Sequence, residues 1–373
     1  MNVETWRLSP ARGTGTMRIA GVASAFPEHR YPQAEITAAL KRLWKGQLQN
    51  PALLDRLHAR VGVDHRHLAL PLERYAELAS WGEMNVAWIA AAQDVGARAI
   101  DTALMQAGLR HEDVDALIVV SVTGIASPSL DARLINRLGL RPDVKRTPMF
   151  GVGCSGGAIG LTRAADYTLA YPGHVAVLLA VELCSLTLQR GDLTTANLVS
   201  TGLFGDGAAA AIVAGAHRPS GNHMRGHDTG PRIVATRSVF YPETEDIMGW
   251  DISGDGFKIV LSPHLPQLIR DNLARDVDAF LADHALQRAD IDSWAIHTGG
   301  PKVLLAIQEA LALDDRALAP SWDCLRRVGN LSSASVLCVL EDIATNRRPP
   351  PGTSGFLLAM GPGFCSELIL LQW

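Results

Sequence analysis

Residues 151–160 read GVGCSGGAIG, and the reading of this turn decides the fold. Gly151, Gly153 and Gly156 satisfy the G-x-G-x-x-G spacing that lets a backbone approach a pyrophosphate at a helix N-terminus. The turn follows a predicted strand, 148–152, and opens a predicted helix from about Ser155 to Leu169. Glu182 closes the next strand, where a ribose-binding acid would stand. On that reading the chain is an NAD(P)-dependent oxidoreductase. Cys154 argues otherwise: any thiolate character at the centre of such a turn repels phosphate, and the turn lies deep in the chain rather than at the start of a domain. A cysteine at a strand-to-helix corner suits a nucleophile instead. Its sulfur points out of the turn, the helix dipole and free N–H groups favour the thiolate, and the glycines leave room for substrate.

Working outward, the chain of 373 residues exceeds the size at which single cores stop growing, so two packed halves are expected. Residues 1–16 lack periodicity and read as a flexible N-terminal arm. Residues 17–220 form a first half carrying the nucleophile, and 221–373 a second half. Alternating helical and apolar strand patterns make the class α/β, with strands predicted at 17–23, 116–122, 148–152, 175–181 and 206–214. The stretch 216–231, rich in Gly, His and Pro, reads as the connection between halves. Segments 111–124 (HEDVDALIVVSVTG) and 288–300 (RADIDSWAIHTGG) share an acidic corner, an apolar strand and Thr-Gly, the mark of a duplicated unit. Helix 302–313, a turn at 329–333 opening a helix to 346, and paired strands 355–360 and 365–371 follow.

A net charge of −4 offers no basic stripe for nucleic acid, and no apolar run is long enough for stable membrane association. Five cysteines without C-x-x-C pairs exclude a disulfide framework and a structural zinc site, so reduced thiols, a cytoplasmic location and no metal are expected. Among twelve histidines, His223 and His227 have ligand-like spacing but no partner cluster. His297 stands out at the end of an apolar strand, before Thr298-Gly299-Gly300-Pro301. Asn330, in Gly329-Asn330-Leu331-Ser332-Ser333, reads singly as a helix start.

Taken together, Cys154 in GVGCSGG, FGDGAA at 204–209, His297 in WAIHTGGP, Asn330 in GNLSSASVL and Gly361-Pro362-Gly363 resemble type III polyketide synthases, the chalcone and stilbene synthase family of thiolase-like enzymes. The resemblance implies a five-layered αβαβα fold of two similar halves, a homodimer, and a Cys-His-Asn triad with no cofactor beyond the substrates acyl-CoA and malonyl-CoA. It makes Cys154 the acyl-accepting nucleophile. His297 and Asn330 would bind the extender's thioester carbonyl, stabilising the enolate left by decarboxylation, and no Asp or Glu adjoins them in sequence to oppose that charge. His297 as imidazolium would also lower the thiol pKa. Phe204 and Phe257 match the family's gatekeepers, Cys184, Thr187, Ser127 and Ser332 its cavity walls, and Arg56 and Arg60 its CoA-phosphate ligands. Gly299, Gly300, Gly361, Pro362 and Gly363 belong to substrate-lining turns.

Thr298 and Met360 depart from the plant pattern and resemble bacterial members. Cys184 and Ser127 replace the Thr and Met frequent in plant enzymes, and these small walls suit a fatty acyl-CoA starter giving an alkylpyrone or alkylresorcinol. The nearest rival is a β-ketoacyl-ACP synthase III performing one condensation; His-Thr-Gly-Gly-Pro and Phe204 speak against it.

Overall fold

The structure is a computed structural model that describes residues 17–218 and 230–373. The predicted arm at 1–16, the boundary between 220 and 221, and the pair His223 and His227 lie outside the described residues.

In chain order the first half runs β1 (Met17–Ala25), β2 (His29–Pro32), α1 (Gln33–Leu43), α2 (Pro51–Ala59), β3 (His65–Leu68), α3 (Leu72–Glu77), α4 (Trp81–Gln106), β4 (Ala116–Val120), α5 (Leu130–Leu138), β5 (Lys145–Met149), α6 (Gly156–Ala170), β6 (Val175–Leu183), α7 (Thr195–Leu203) and β7 (Asp206–Ala214). The second runs β8 (Arg232–Phe240), β9 (Met248–Ser253), β10 (Gly256–Leu261), α8 (Leu265–Ala282), β11 (Ile291–Ile296), α9 (Pro301–Leu311), α10 (Asp315–Val328), α11 (Ser335–Asn346), β12 (Ser354–Gly361) and β13 (Cys365–Gln372). A mixed sheet carries the order β11-β12-β13-β8-β1-β7-β6-β4-β5. A short antiparallel ladder, Met17 with Ile233 and Arg18 with Arg232, joins the two halves of that sheet.

The layering follows from strand alternation. In β6, Val175, Val177, Leu179 and Val181 join a core with α1 and α4, while Ala176, Leu178 and Ala180 face a second core with α6 and α11. In β12, Leu357 and Ala359 face that same central core, and Phe356, Leu358 and Met360 face a third with α8 and α9. Strands buried on both faces read as unbroken apolar runs, and these do. The result is αβαβα, with α6 and α11 between the sheet halves. Small residues let α6 fit there: a β-carbon on Gly160 would stand 2.4 Å from Leu178 Cδ1, and one on Gly157 2.3 Å from the Ser333 carbonyl.

The duplicated segments fold alike. Each begins with a one-turn 3₁₀ segment, His111–Asp113 or Arg288–Asp290, whose last aspartate accepts the N–H of Arg110 or Gln287 at 2.8 Å. Each then enters a parallel strand, β4 or β11. One strand lies earlier than its apolar residues suggest: β5 spans Lys145–Met149, because Gly151 at φ 89° has already turned the chain.

Candidate active site

Cys154 sits in a one-turn 3₁₀ segment, Gly153–Ser155, between β5 and α6. Two of the three glycines around it, Gly153 and Gly156, admit neighbouring chain rather than a ligand at their β-carbon positions. A β-carbon on Gly153, at φ 49°, would stand 2.6 Å from Pro362, and one on Gly156 2.5 Å from Val120. Of that fingerprint, Gly151 alone faces open space. The Gly361-Pro362-Gly363 turn thus presses on the seat of Cys154, and Ser155 Oγ closes it by donating to the Val152 carbonyl at 2.7 Å.

His297 follows β11 and is fixed to β12 by its backbone N–H, which donates to the Leu358 carbonyl at 2.9 Å. Its ring is buried, neither nitrogen has a partner among the described residues, and burial lowers its pKa to about 3. Asn330 is reached through Gly329, at φ 77°. Its side-chain carbonyl accepts the Ser332 N–H at 2.8 Å and the Ser335 hydroxyl at 3.4 Å, which orients the amide and leaves its NH₂ as the group available to a ligand.

Cys154, His297 and Asn330, drawn from three separate connections, line one cavity of about 320 Å³. Gly299, Ser332, Pro362 and Gly363 line it too. Cys184 and Phe204, with Trp250 and Ile259, form a wall shared with a second, largely apolar cavity of about 450 Å³, which Thr187 and Phe257 also line. Phe257 is fully buried and held by Trp81, Phe150 and Trp250 at ring-centroid distances of 5.7, 6.1 and 5.9 Å.

Other expected residues lie elsewhere. Gly361 packs under the seat, its β-carbon position 2.5 Å from Ser155 Oγ, and Gly300 caps α9 against Leu203. Ser127 lies on an exposed turn and lines neither cavity, since Asn85 pins Ile125 by both its N–H (2.9 Å) and its carbonyl (2.8 Å) and carries the loop outward. Arg56 and Arg60, exposed on α2 and at its end, also line neither. A β-carbon on Gly62, just beyond them, would stand 3.5 Å from Pro301, so the end of α2 flanks the turn after His297.

The electrostatics correct two expectations. Burial pushes the Cys154 thiol up to about 12, against the lowering expected of a helix N-terminus; the thiol donates to Ser332 Oγ at 3.7 Å rather than meeting an imidazolium. Desolvation outweighs a dipole worth about 1 kcal/mol. An acid is also near, although none adjoins the triad in sequence. Glu182, at the end of β6, is fully buried, accepts from Val122 N–H at 3.1 Å, Thr123 at 2.9 Å and Ser121 at 3.2 Å, and bonds closely to Ser333. Burial raises it to about 7, and its charge contributes to the high thiol pKa of Cys154. Its one signal in the sequence was a carboxylate terminating an otherwise apolar strand.

The chain matches the family model "Chalcone and stilbene synthases, N-terminal domain" over residues 5–217 and "Chalcone and stilbene synthases, C-terminal domain" over 232–373. The chain belongs to the chalcone and stilbene synthase family. It is a type III polyketide synthase with a thiolase-like fold, an acyltransferase working by decarboxylating condensation. It is 51% identical over 362 residues, covering 97% of this chain and 94% of the relative, to 1,3,6,8-tetrahydroxynaphthalene synthase of Streptomyces peucetius subsp. caesius. It is 35% identical, with 95% and 98% covered, to a putative chalcone synthase of Bacillus subtilis. The crystal structure of 1,3,6,8-tetrahydroxynaphthalene synthase from Streptomyces coelicolor superposes with a TM-score of 0.87 at 32% identity, covering 95% of this synthase and 99% of that chain. The dinucleotide reading falls with this assignment, in keeping with the protein atoms packed on Gly153 and Gly156.

Proposed function

We propose that this synthase takes malonyl-CoA as both starter and extender and closes the resulting chain to 1,3,6,8-tetrahydroxynaphthalene. The likeness to the Streptomyces peucetius enzyme of that name carries the proposal. Oxygens on alternate carbons of that product are what head-to-tail two-carbon units leave, so no separate acyl starter is required.

In this reading the neutral His297 ring takes the Cys154 proton as a thioester enters, and the sulfur attacks the acyl carbonyl while the CoA thiolate departs. The extender's thioester oxygen then accepts hydrogen bonds from the His297 ring and the Asn330 NH₂. Its carbon–carboxylate bond breaks, CO₂ leaves, and the electron pair remains as an enolate held by those two donors. The enolate carbon attacks the Cys154 thioester, a carbon–carbon bond forms, and the cysteine sulfur departs. Burial, which holds both Cys154 and His297 neutral, also strengthens each of these interactions once water is excluded.

The cavity behind Cys184 and Phe204 favours a second reading, a fatty acyl-CoA starter giving an alkylpyrone or alkylresorcinol, since its lining is largely apolar. Incubation with malonyl-CoA alone, then with a panel of acyl-CoAs, separates the two by mass spectrometry. An aromatic naphthol from malonyl-CoA alone supports the first; product only with a long-chain starter supports the second.

The working unit in this proposal is a cytoplasmic homodimer without a separate cofactor. Among the described residues strand β5 has no neighbour on its outer edge, and it leads into Phe150, 47% exposed; Ile125 is also exposed, at 43%. Such an edge is a template for a second copy. Five free, buried thiols suit a reducing compartment. Among the described residues no helix is long and apolar enough to cross a membrane.

A further inference from the structure

Arg66, on β3, is a guanidinium buried to 3% exposure far in sequence from any residue of the cavity's chemistry. Its Nη1 donates to the Phe204 carbonyl at 2.6 Å and its Nε to Gln33 Oε1 at 3.0 Å. Gln33 in turn donates to the Gly202 carbonyl at 2.8 Å. Gly202 and Phe204 stand at the C-terminal end of α7, where carbonyls lack helical partners and a cation is favoured. Asp206, which accepts the Ala69 N–H at 2.6 Å and the Ser185 N–H at 2.8 Å, attracts the same guanidinium.

The segment so held is bonded to Asn330 on both sides. Asn330 N–H donates to the Leu203 carbonyl and Gly205 N–H to the Asn330 carbonyl, each at 2.9 Å, around a parallel bridge between Phe204 and Asn330. Gly329 is pressed between the same parts: a β-carbon there would stand 2.7 Å from the Leu203 carbonyl and 3.2 Å from Arg66 Cδ. Phe204 and Asn330 therefore move as one unit, and Arg66 is its anchor.

We propose that Arg66 is a positioning residue for the Asn330 amide, acting through the Phe204 carbonyl and the Leu203–Gly205 segment bridged to Asn330. The proposal rests on the reading of Asn330 as the donor to the extender thioester. It separates two half-reactions: acylation of Cys154 uses the thiol and His297, while decarboxylation of malonyl-CoA also needs Asn330.

The test compares full-length Arg66→Met, Arg66→Lys and Asn330→Ala with the wild-type chain. Intact mass reads acylation of Cys154 by an acyl-CoA, chromatography reads acetyl-CoA released from malonyl-CoA, and thermal melting checks the fold. In Arg66→Met acylation stays at the wild-type extent while acetyl-CoA release falls on the order of 10²-fold, as a small misplacement of a donor costs; Arg66→Lys, keeping the charge, recovers part of the loss. Loss of both half-reactions together, or undiminished release from folded Arg66→Met beside an impaired Asn330→Ala, overturns the role of Arg66. Undiminished release in Asn330→Ala sinks the reading of Asn330 and the proposal with it. If Arg66→Met does not fold, Gln33→Met, which removes the tether at Nε, must show the same split at about tenfold; no split there overturns the proposal.

Discussion

Gly153 and Pro362 meet so closely that a single β-carbon on the glycine would stand 2.6 Å from Pro362 Cδ. The contact ties the residue before Cys154 to the β12–β13 hairpin, so the seat of Cys154 is set by chain from both halves. At φ 49° the position also disfavours any side chain.

Gly153→Ala is therefore expected to displace the seat. Backbone strain and the clash together cost on the order of 1–3 kcal/mol of stability. Acylation of Cys154, followed by mass after brief exposure to an acyl-CoA, should slow on the order of 10²-fold. Acylation at the wild-type rate would mean that the turn tolerates the methyl group and that the contact with Pro362 positions nothing.

Cys154→Ala removes the acyl acceptor and leaves His297 and Asn330 in place. Products of repeated extension should vanish, while the melting temperature changes little, since deleting one small buried atom costs about 1 kcal/mol. Acetyl-CoA should still appear from malonyl-CoA, because the donors to the enolate remain. Extended products from this variant, detected by mass spectrometry, would exclude Cys154 as the nucleophile.

How much of this was legible in the sequence varied with the physics. β7 was read with its observed bounds, because a run of small and branched residues buried on both faces carries a plain signal. For β5 the apolar signal runs later than the strand: Lys145, Arg146 and Thr147 are exposed on a sheet edge, where hydropathy is silent, and the apolar Phe150 and Val152 lie beyond it. The gathering of Cys154, His297 and Asn330 was legible through motif order. The contacts that bring Arg66 and Glu182 to the site carry no signal in the sequence, since each spans more than a hundred residues of the chain, Arg66 to Phe204 and Glu182 to Ser333.

Glu182 supplies a test in pH. Its carboxyl sits at about 7 in the fold against an ordinary 4.5, with burial the leading cause and the Ser333, Val122, Thr123 and Ser121 donors pulling it back. Because the folded value is the higher one, the stability this group contributes is complete below about 4.5 and is lost as pH rises through about 7. Glu182→Gln cannot ionise. The stability of the wild type relative to the variant should then fall by on the order of 3 kcal/mol between about pH 4 and pH 8, read from denaturant melts across that range. Parallel pH profiles would show that the carboxyl is not destabilised by its burial.

Cys184 lines both cavities together with Phe204, Trp250 and Ile259, and as the smallest of the four it is the place where added bulk most reduces the space a growing chain can enter beyond the triad. Cys184→Phe places a ring where the two cavities adjoin, beside Phe204. Overpacking costs about 1–3 kcal/mol, but Cys154, His297 and Asn330 keep their positions, so release of acetyl-CoA from malonyl-CoA should stay within about threefold of wild type. Chain length should change instead: with less room behind the wall, the intermediate cyclises after fewer extensions, and mass spectra should shift from the full-length product to shorter lactones. An unaltered product profile at unaltered rate would mean that the chain grows within the catalytic cavity alone, and the second cavity would then have no part in setting its length.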